Sequence, residues 1–410
     1  MDTTTRARAR WLTALLALVG ILALSACTAS ASAKWSDSQG PNGAANGGGN
    51  GHNPDAPTIS FPSNKATDVP AGLTIAYATK NNAAATVTLK DDSGDSISGG
   101  PGYDPSTWEP GQELKYGTHY TATVTAPGSD GKPATSSVEF TTMAEPSKTT
   151  RVQSFMGDNQ VFGIGMPVIL TLSHGVPSDD RAAVEKRLSV ESTPAQTGSW
   201  NWISDHEIHY RPEAFWQPGT KLHIDVKTGG VPFGNGYYGL RNLTVDASIA
   251  TNSLQITTND KTHMMTIVQN GKVVKTFPVS LGKASTPSSS GHMIIMTRNT
   301  QEIFDSSLGT GGIPVAAPGG YRELVYWTMR LTWSGQFIHA APWSVASQGH
   351  ADVSHGCTNV STANAKWIYE NSHIGDPVTV TGTPRKLTWG DGWTDWDVDF
   401  ATYQKGSALH

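Results

Sequence analysis

"EPGQELKYGTHYTATVTAPG" (Glu109–Gly128) and "QPGTKLHIDVKTGG" (Gln217–Gly230) carry one plan twice in a single chain. Each opens on a Pro-Gly turn and runs into alternating apolar and polar residues, the period-two pattern of a half-buried strand. Around the first lie "LTIAYATK", "ATVTLKDD" and "SVEFTT", separated by turn clusters such as "GSDGKP". Upstream of the second, "PVILTLSH" takes the place of "LTIAYATK". Short strands with regular turn punctuation predict β-sandwiches, so the chain reads as two tandem immunoglobulin-like modules, over residues 57–147 and 148–250. Neither has a Cys…Trp…Cys pattern, so the immunoglobulin likeness is architectural. "NWISDHEIHYRP" (Asn201–Pro212) gathers polar residues on one strand and reads as a solvated face.

Composition agrees with a turn-rich, mainly β chain. Of 410 residues, 43 are Gly and 24 Pro, while only 15% are charged. A net charge of -5 leaves no basic footprint, and no nucleic-acid partner is expected.

The N-terminus reads as an address. Arg6, Arg8 and Arg10 precede the apolar run "WLTALLALVGILAL", and "LSAC" follows. This is the order of a secretory signal peptide, over residues 1–26. The run is shorter than the ~20 residues a membrane span needs. Leu24-Ser25-Ala26-Cys27 resembles a bacterial lipobox, which implies a lipidated Cys27 and attachment to the outer face of the membrane. Residues 27–56 include a Gly/Asn/Pro-rich tract with too little apolar surface to fold, a tether.

Residues 251–383 form a third segment. Asn270-Gly271 between two apolar runs predicts a hairpin. Further short strands follow in "GHMIIMT", "ELVYWTMRLT" and "GQFIHAAP". Ser361 opens a helical pattern, "STANAKWIYENS", as its N-cap. The Trp-rich tail, residues 384–410, is too aromatic to stay free of the body and is expected to pack back on it, without chemistry of its own.

The chain has two cysteines. A lipidated Cys27 cannot bridge, which leaves Cys357, in "SHGCTN" (Ser354–Asn359), as a lone thiol in an oxidising compartment: a reactive group, or a small hydrophobe packed in a core. A working thiol needs a base, and His339 and His355 are the candidates. A neighbouring imidazole activates a thiol by forming a thiolate–imidazolium pair. An acceptor must hold the imidazole in one tautomer. Converging donors must meet the oxyanion; the amides around Gly356 and Cys357 and the Asn359 side chain are in reach in sequence.

The run from His339 through "SHGCTN" resembles the catalytic signature of the YkuD-type L,D-transpeptidases. "VSLGKASTP", "GGYRELVYW", "SGQFIHAAPWSVASQGH" and "SHGCTNVSTANAKWIYE" extend the likeness, and the modules and tail match the mycobacterial-type layout. The resemblance implies a β-rich catalytic domain with a short helix after the Cys. It makes Cys357 the nucleophile and His339 the general base, oriented by the carbonyl of Ala340, where relatives often carry Ser. His355 and Gly356 would shape the nucleophile loop. Tyr321, Ser334, Gly335 and Asn359 would contact substrate, and Trp343 would line the cleft. Thr358 replaces the usual apolar residue. The implied partners are peptidoglycan stem peptides, a tetrapeptide donor and a diamino-acid acceptor. β-Lactams, carbapenems above all, would be covalent inhibitors. No cofactor or metal is implied. Transfer to water or to a D-amino acid, and a wall-binding role without catalysis, are the alternatives. A sortase would need a "TLxTC" strand before its Cys; a papain-like enzyme would place Cys before His.

Overall fold

The computed structural model describes residues 53–308 and 312–410. The signal-peptide reading, Cys27 and most of the tether lie outside them.

Two β-sandwiches come first. In one, Thr58–Phe61, Ile75–Ala78, Thr107–Pro110 and Gly99–Pro101 form a sheet. It faces a second sheet that contains His119–Pro127 and Pro133–Thr142. The alternation in "HYTATVTA" is real burial: Tyr120, Ala122, Val124 and Ala126 point inward. Tyr120 pairs with Phe140 across the ladder, and their rings stack at 5.7 Å. In the next sandwich Lys221–Val226 repeats the pattern, with Leu222, Ile224 and Val226 inside.

The solvated face expected at Asn201–Pro212 is not there. His209 is 1% exposed and Arg211 is 2% exposed. The C-terminal tail covers that face. Asp395 bonds His209 at 2.9 Å, and the Arg211 guanidinium lies 4.5 Å from the ring centres of both Trp396 and Tyr403. Trp393 is buried and Trp396 donates from Nε1 to the Gly165 carbonyl at 2.7 Å. Trp389 stays exposed.

The third body holds two sheets. Strands β1 (Leu254–Asn259), β2 (Met264–Gln269), β3 (Lys272–Pro278), β4 (Ser289–Ile294), β9 (Pro377–Thr381) and β10 (Arg385–Lys386) build one, in the order β3-β2-β1-β9-β4-β10. Strands β5 (Thr297–Asp305), β6 (Arg322–Arg330), β7 (Phe337–Ala340) and β8 (Thr358–Val360) build the other in chain order. Asn270 (φ 50) and Gly271 (φ 74) turn the β2–β3 hairpin as the sequence predicts. Helix α1 (Thr362–Asn371) starts where Ser361 Oγ accepts the Asn364 N–H at 3.3 Å. It lies against β6 and β7, burying Ala365 and Ile368 with Ile338 and Val360.

The second sandwich is joined to this body by backbone. The Gly163 and Gly165 amides donate to Ile374 and Gly375 carbonyls, at 2.7 and 2.9 Å. A Cβ on Gly163 would sit 2.3 Å from the Asp376 nitrogen, so only glycine permits the approach.

Candidate active site

The parallel pairing of β7 with β8 sets the site. Ile338 faces Thr358, His339 faces Asn359 and Ala340 faces Val360. The thiol of Cys357, just ahead of β8, therefore emerges beside the start of β7. His339 is buried, and its Nδ1–H donates to the Ala340 carbonyl at 2.9 Å. That bond fixes the tautomer and leaves Nε2 as the basic nitrogen. The acceptor is a backbone carbonyl, so exchanging Ser for Ala at 340 preserves this bond.

The loop before Cys357 is tightly held. Ser354 Oγ donates to the Cys357 carbonyl at 2.6 Å and accepts the Gly356 N–H at 3.0 Å. Ser288 Oγ donates to the Gly356 carbonyl at 2.7 Å. Gly356 sits at φ 129, open to glycine alone. Its amide is thus committed to Ser354, which removes it from the expected oxyanion donors. Asn359 is 2% exposed, and its side-chain oxygen is buried without a hydrogen-bond partner. Thr358 packs on β8 opposite Ile338.

The electrostatics differ from a preformed ion pair. Burial pushes the Cys357 thiol up to about 12, with a backbone hydrogen bond from Phe337 and the Arg330 charge pulling the other way. Burial likewise lowers His339 to about 4, against the opposing bond to Ala340. Both groups rest neutral, because a buried pocket penalises thiolate and imidazolium alike. The thiol donates instead to the Gly335 carbonyl at 3.6 Å. Proton transfer to His339 accordingly belongs to the attack on a substrate, as general-base catalysis.

His355 is exposed, and its Nε2 accepts from Lys283 Nζ at 2.9 Å. Burial and the Lys283 charge lower its pKa. Its ring lies 5.2 Å from Tyr321, whose hydroxyl is raised above its ordinary value by burial first. Trp343 is exposed, 6.1 Å from His339, as a wall of the cleft. Ser334 lies on the same rim, but Asp391 of the tail takes both its N–H and its hydroxyl. Lys283, Ser288 and Asp391 are the residues that sequence reasoning missed. Lys283 stands in "VSLGKASTP", and only the fold brings that segment under the nucleophile loop.

The profile of the L,D-transpeptidase catalytic domain matches residues 253–380, and that of a bacterial Ig domain matches residues 66–232. L,D-transpeptidase 2 of Mycobacterium tuberculosis is 37% identical over 342 residues, covering 83% of this chain and 81% of that protein. The chain belongs to the L,D-transpeptidases. L,D-transpeptidase 5 of the same species is 32% identical over 363 residues, covering 87% of this chain and 78% of its own. A solved L,D-transpeptidase in complex with imipenem is 31% identical, with a TM-score of 0.49 over 58% of this chain and all of that one. For an L,D-transpeptidase the family implies cysteine acyl transfer and peptidoglycan cross-linking. The mainly β fold, immunoglobulin-like architecture followed by a catalytic domain, is the one expected from the sequence.

Proposed function

We propose that this L,D-transpeptidase forms 3→3 cross-links through a thioester on Cys357. The observation that carries the reading is the His339 Nδ1–Ala340 bond, which frees Nε2 on the strand paired with the one that follows the nucleophile. In the first step the Cys357 sulfur attacks the carbonyl of the third residue of a tetrapeptide stem. Its proton passes to His339 Nε2. The tetrahedral intermediate collapses, the peptide bond breaks, and His339 returns the proton to the leaving D-Ala amine. In the second step the side-chain amine of a diamino acid on another stem attacks the thioester, gives a proton to His339, and releases the Cys357 thiol. Tyr321, Gly335 and Trp343 border the cleft and are assigned to the stem, and Asn359, buried behind the nucleophile, is assigned to it through its unpartnered side-chain oxygen. A β-lactam ring would acylate the same sulfur, and the imipenem complex of a relative supports the carbapenem reading.

We further propose export and lipid attachment through Cys27, on the residue order at the N-terminus. Labelled fatty acid should be incorporated by the wild type and not by Cys27→Ala; an unlabelled wild type would sink the anchor.

The test of the reaction uses the chain from Asp55 onward with disaccharide-tetrapeptide, read by mass spectrometry beside Cys357→Ala. A dimer lighter by one D-Ala, absent with the variant, is expected. Tripeptide without dimer would make the enzyme a carboxypeptidase. No product and no carbapenem adduct would overturn the acyl-transfer reading.

A further inference from the structure

The turn that faces the thiol is gripped from two sides. Residues 331–336, "LTWSGQ", connect β6 to β7. Leu331 donates to the Gln336 carbonyl at 2.8 Å, and the Gly335 N–H reaches the Thr332 carbonyl at 3.3 Å. From the body, Arg330 donates to the Thr332 and Trp333 carbonyls at 3.2 and 3.4 Å. From the tail, Asp391 accepts the Ser334 N–H at 2.7 Å and the Ser334 hydroxyl at 2.6 Å. Two bonds from one carboxylate to one residue fix both the peptide plane and the side chain. Ser334 Oγ also lies 3.0 Å from Thr332 Oγ1, which accepts the Gln336 N–H at 3.1 Å. Between Ser334 and Gln336 stands Gly335, at φ 96, and its carbonyl accepts the Cys357 thiol.

Asp391 is itself anchored. Its N–H reaches the Thr388 carbonyl at 3.1 Å, and the Gly390 amide donates to Thr394 Oγ1 at 2.9 Å. A Cβ on Gly392 would meet the Leu331 carbonyl at 2.9 Å and the Met296 sulfur at 3.0 Å, so the tail closes directly on the turn. Trp393 packs edge-on against Phe155 of the second sandwich at 4.6 Å, and Asp395 grips His209. One short run of tail thus touches the second sandwich at one end and the nucleophile's turn at the other.

We propose that Asp391 is a positioning residue for Cys357: it fixes Ser334, which holds the Gly335 carbonyl against the thiol, and so links tail docking on the second sandwich to the resting place of the nucleophile. The Ser334 hydroxyl is then spent inside the protein rather than on a substrate. The inference rests on the acyl-transfer reading for its kinetic arm alone. A thiol released from the Gly335 carbonyl gains access to water, ionises more readily and meets a small alkylating agent sooner. The same release costs the alignment that a stem peptide requires, where misplacement by an ångström is worth on the order of 100-fold.

The experiment compares Asp391→Ala, Asp391→Asn and Ser334→Ala in the full chain. The first readout is iodoacetamide alkylation of the Cys357 peptide against pH, followed by mass spectrometry. The second is kcat and KM for tetrapeptide transfer. The expected result for Asp391→Ala is an alkylation profile moved to lower pH, with kcat reduced about 100-fold at little-changed KM. Asp391→Asn keeps one acceptor and should recover both in part, which loosened folding alone would not produce. Should Asp391→Ala fail to fold, Ser334→Ala removes the hydroxyl bond only and should show the same two changes at smaller size. An alkylation profile that coincides with the wild type overturns the proposal. So does a raised KM at unchanged kcat, which would make Asp391 a substrate contact. If the wild type transfers nothing, the acyl-transfer reading fails while the alkylation arm still decides the positioning.

Discussion

The tail clamp has a pH dependence that one buried histidine should dominate. His209 sits between Glu207 at 2.8 Å and Asp395 at 2.9 Å. Burial alone would depress its pKa, but the Asp395 and Glu207 carboxylates outweigh it and hold it at about 9, against an ordinary 6.5. The same contact, seen from the other side, keeps Asp395 below the usual carboxylate range in spite of its burial, and it is counted once. At about 1.4 kcal/mol per pH unit, the interval makes the clamp worth about 3 kcal/mol. The folded value lies above the unfolded one. The stabilisation is therefore complete below pH 6.5 and is lost as pH rises through about 9.

His209→Gln removes the titration while keeping a polar side chain of similar reach. Urea unfolding of both proteins at pH 6 and pH 9.5, followed by tryptophan fluorescence, measures the difference between them. At pH 6 the variant should be weaker by about 3 kcal/mol or more, since one partner of a buried ion pair is gone. At pH 9.5 most of that gap should have closed from the wild-type side. Groups away from His209 titrate alike in both proteins and cancel; Asp395, which loses the partner that lowers it, is replaced by Asn in both proteins in a second pair of measurements. A gap of equal size at the two pH values would refute the charged clamp and leave His209 as neutral packing.

Three further outcomes follow from the structure. Carbapenem acylation should keep its rate down to about pH 5, because burial lowers His339 to about 4 and the base stays neutral there; an acid limb near 6.5, read from stopped-flow kinetics, would contradict this. Burial raises Asp376 from 3.8 to about 7, so it favours folding below pH 3.8 and loses that contribution as pH climbs through 7; Asp376→Asn should flatten the stability slope between pH 4 and 7 in thermal melts. Gly163→Ala should cost about 1–3 kcal/mol by overpacking, since its Cβ would meet the Asp376 backbone at 2.3 Å, and calorimetry should show the sandwich and catalytic body melting less cooperatively.

What the sequence made legible was local. Period-two burial in "HYTATVTA", the Asn270-Gly271 turn and the Ser361 cap each follow from a few neighbouring residues, and the Cys357–His339 constellation from one motif. The protonation states were not legible, because they depend on how deeply the fold buries the pair rather than on its spacing. The face at His209 was misread for a similar reason: its cover comes from Asp395, at the far end of the chain. The tail itself looked like packing because its tryptophans dominate the eye. Its aspartates tell the other half. Asp391 accepts from Ser334, Asp395 bonds His209, Asp397 accepts the His292 N–H at 2.8 Å, and Asp399 caps the last helix through Thr402. Tryptophan burial supplies affinity and only one directional bond, from Trp396 Nε1 to the Gly165 carbonyl. Each carboxylate, by contrast, fits only where its donor waits. Alternating the two in "GDGWTDWDVDF" fixes the tail in one register, and a tail fixed in register can set the position of a turn on the edge of the active site.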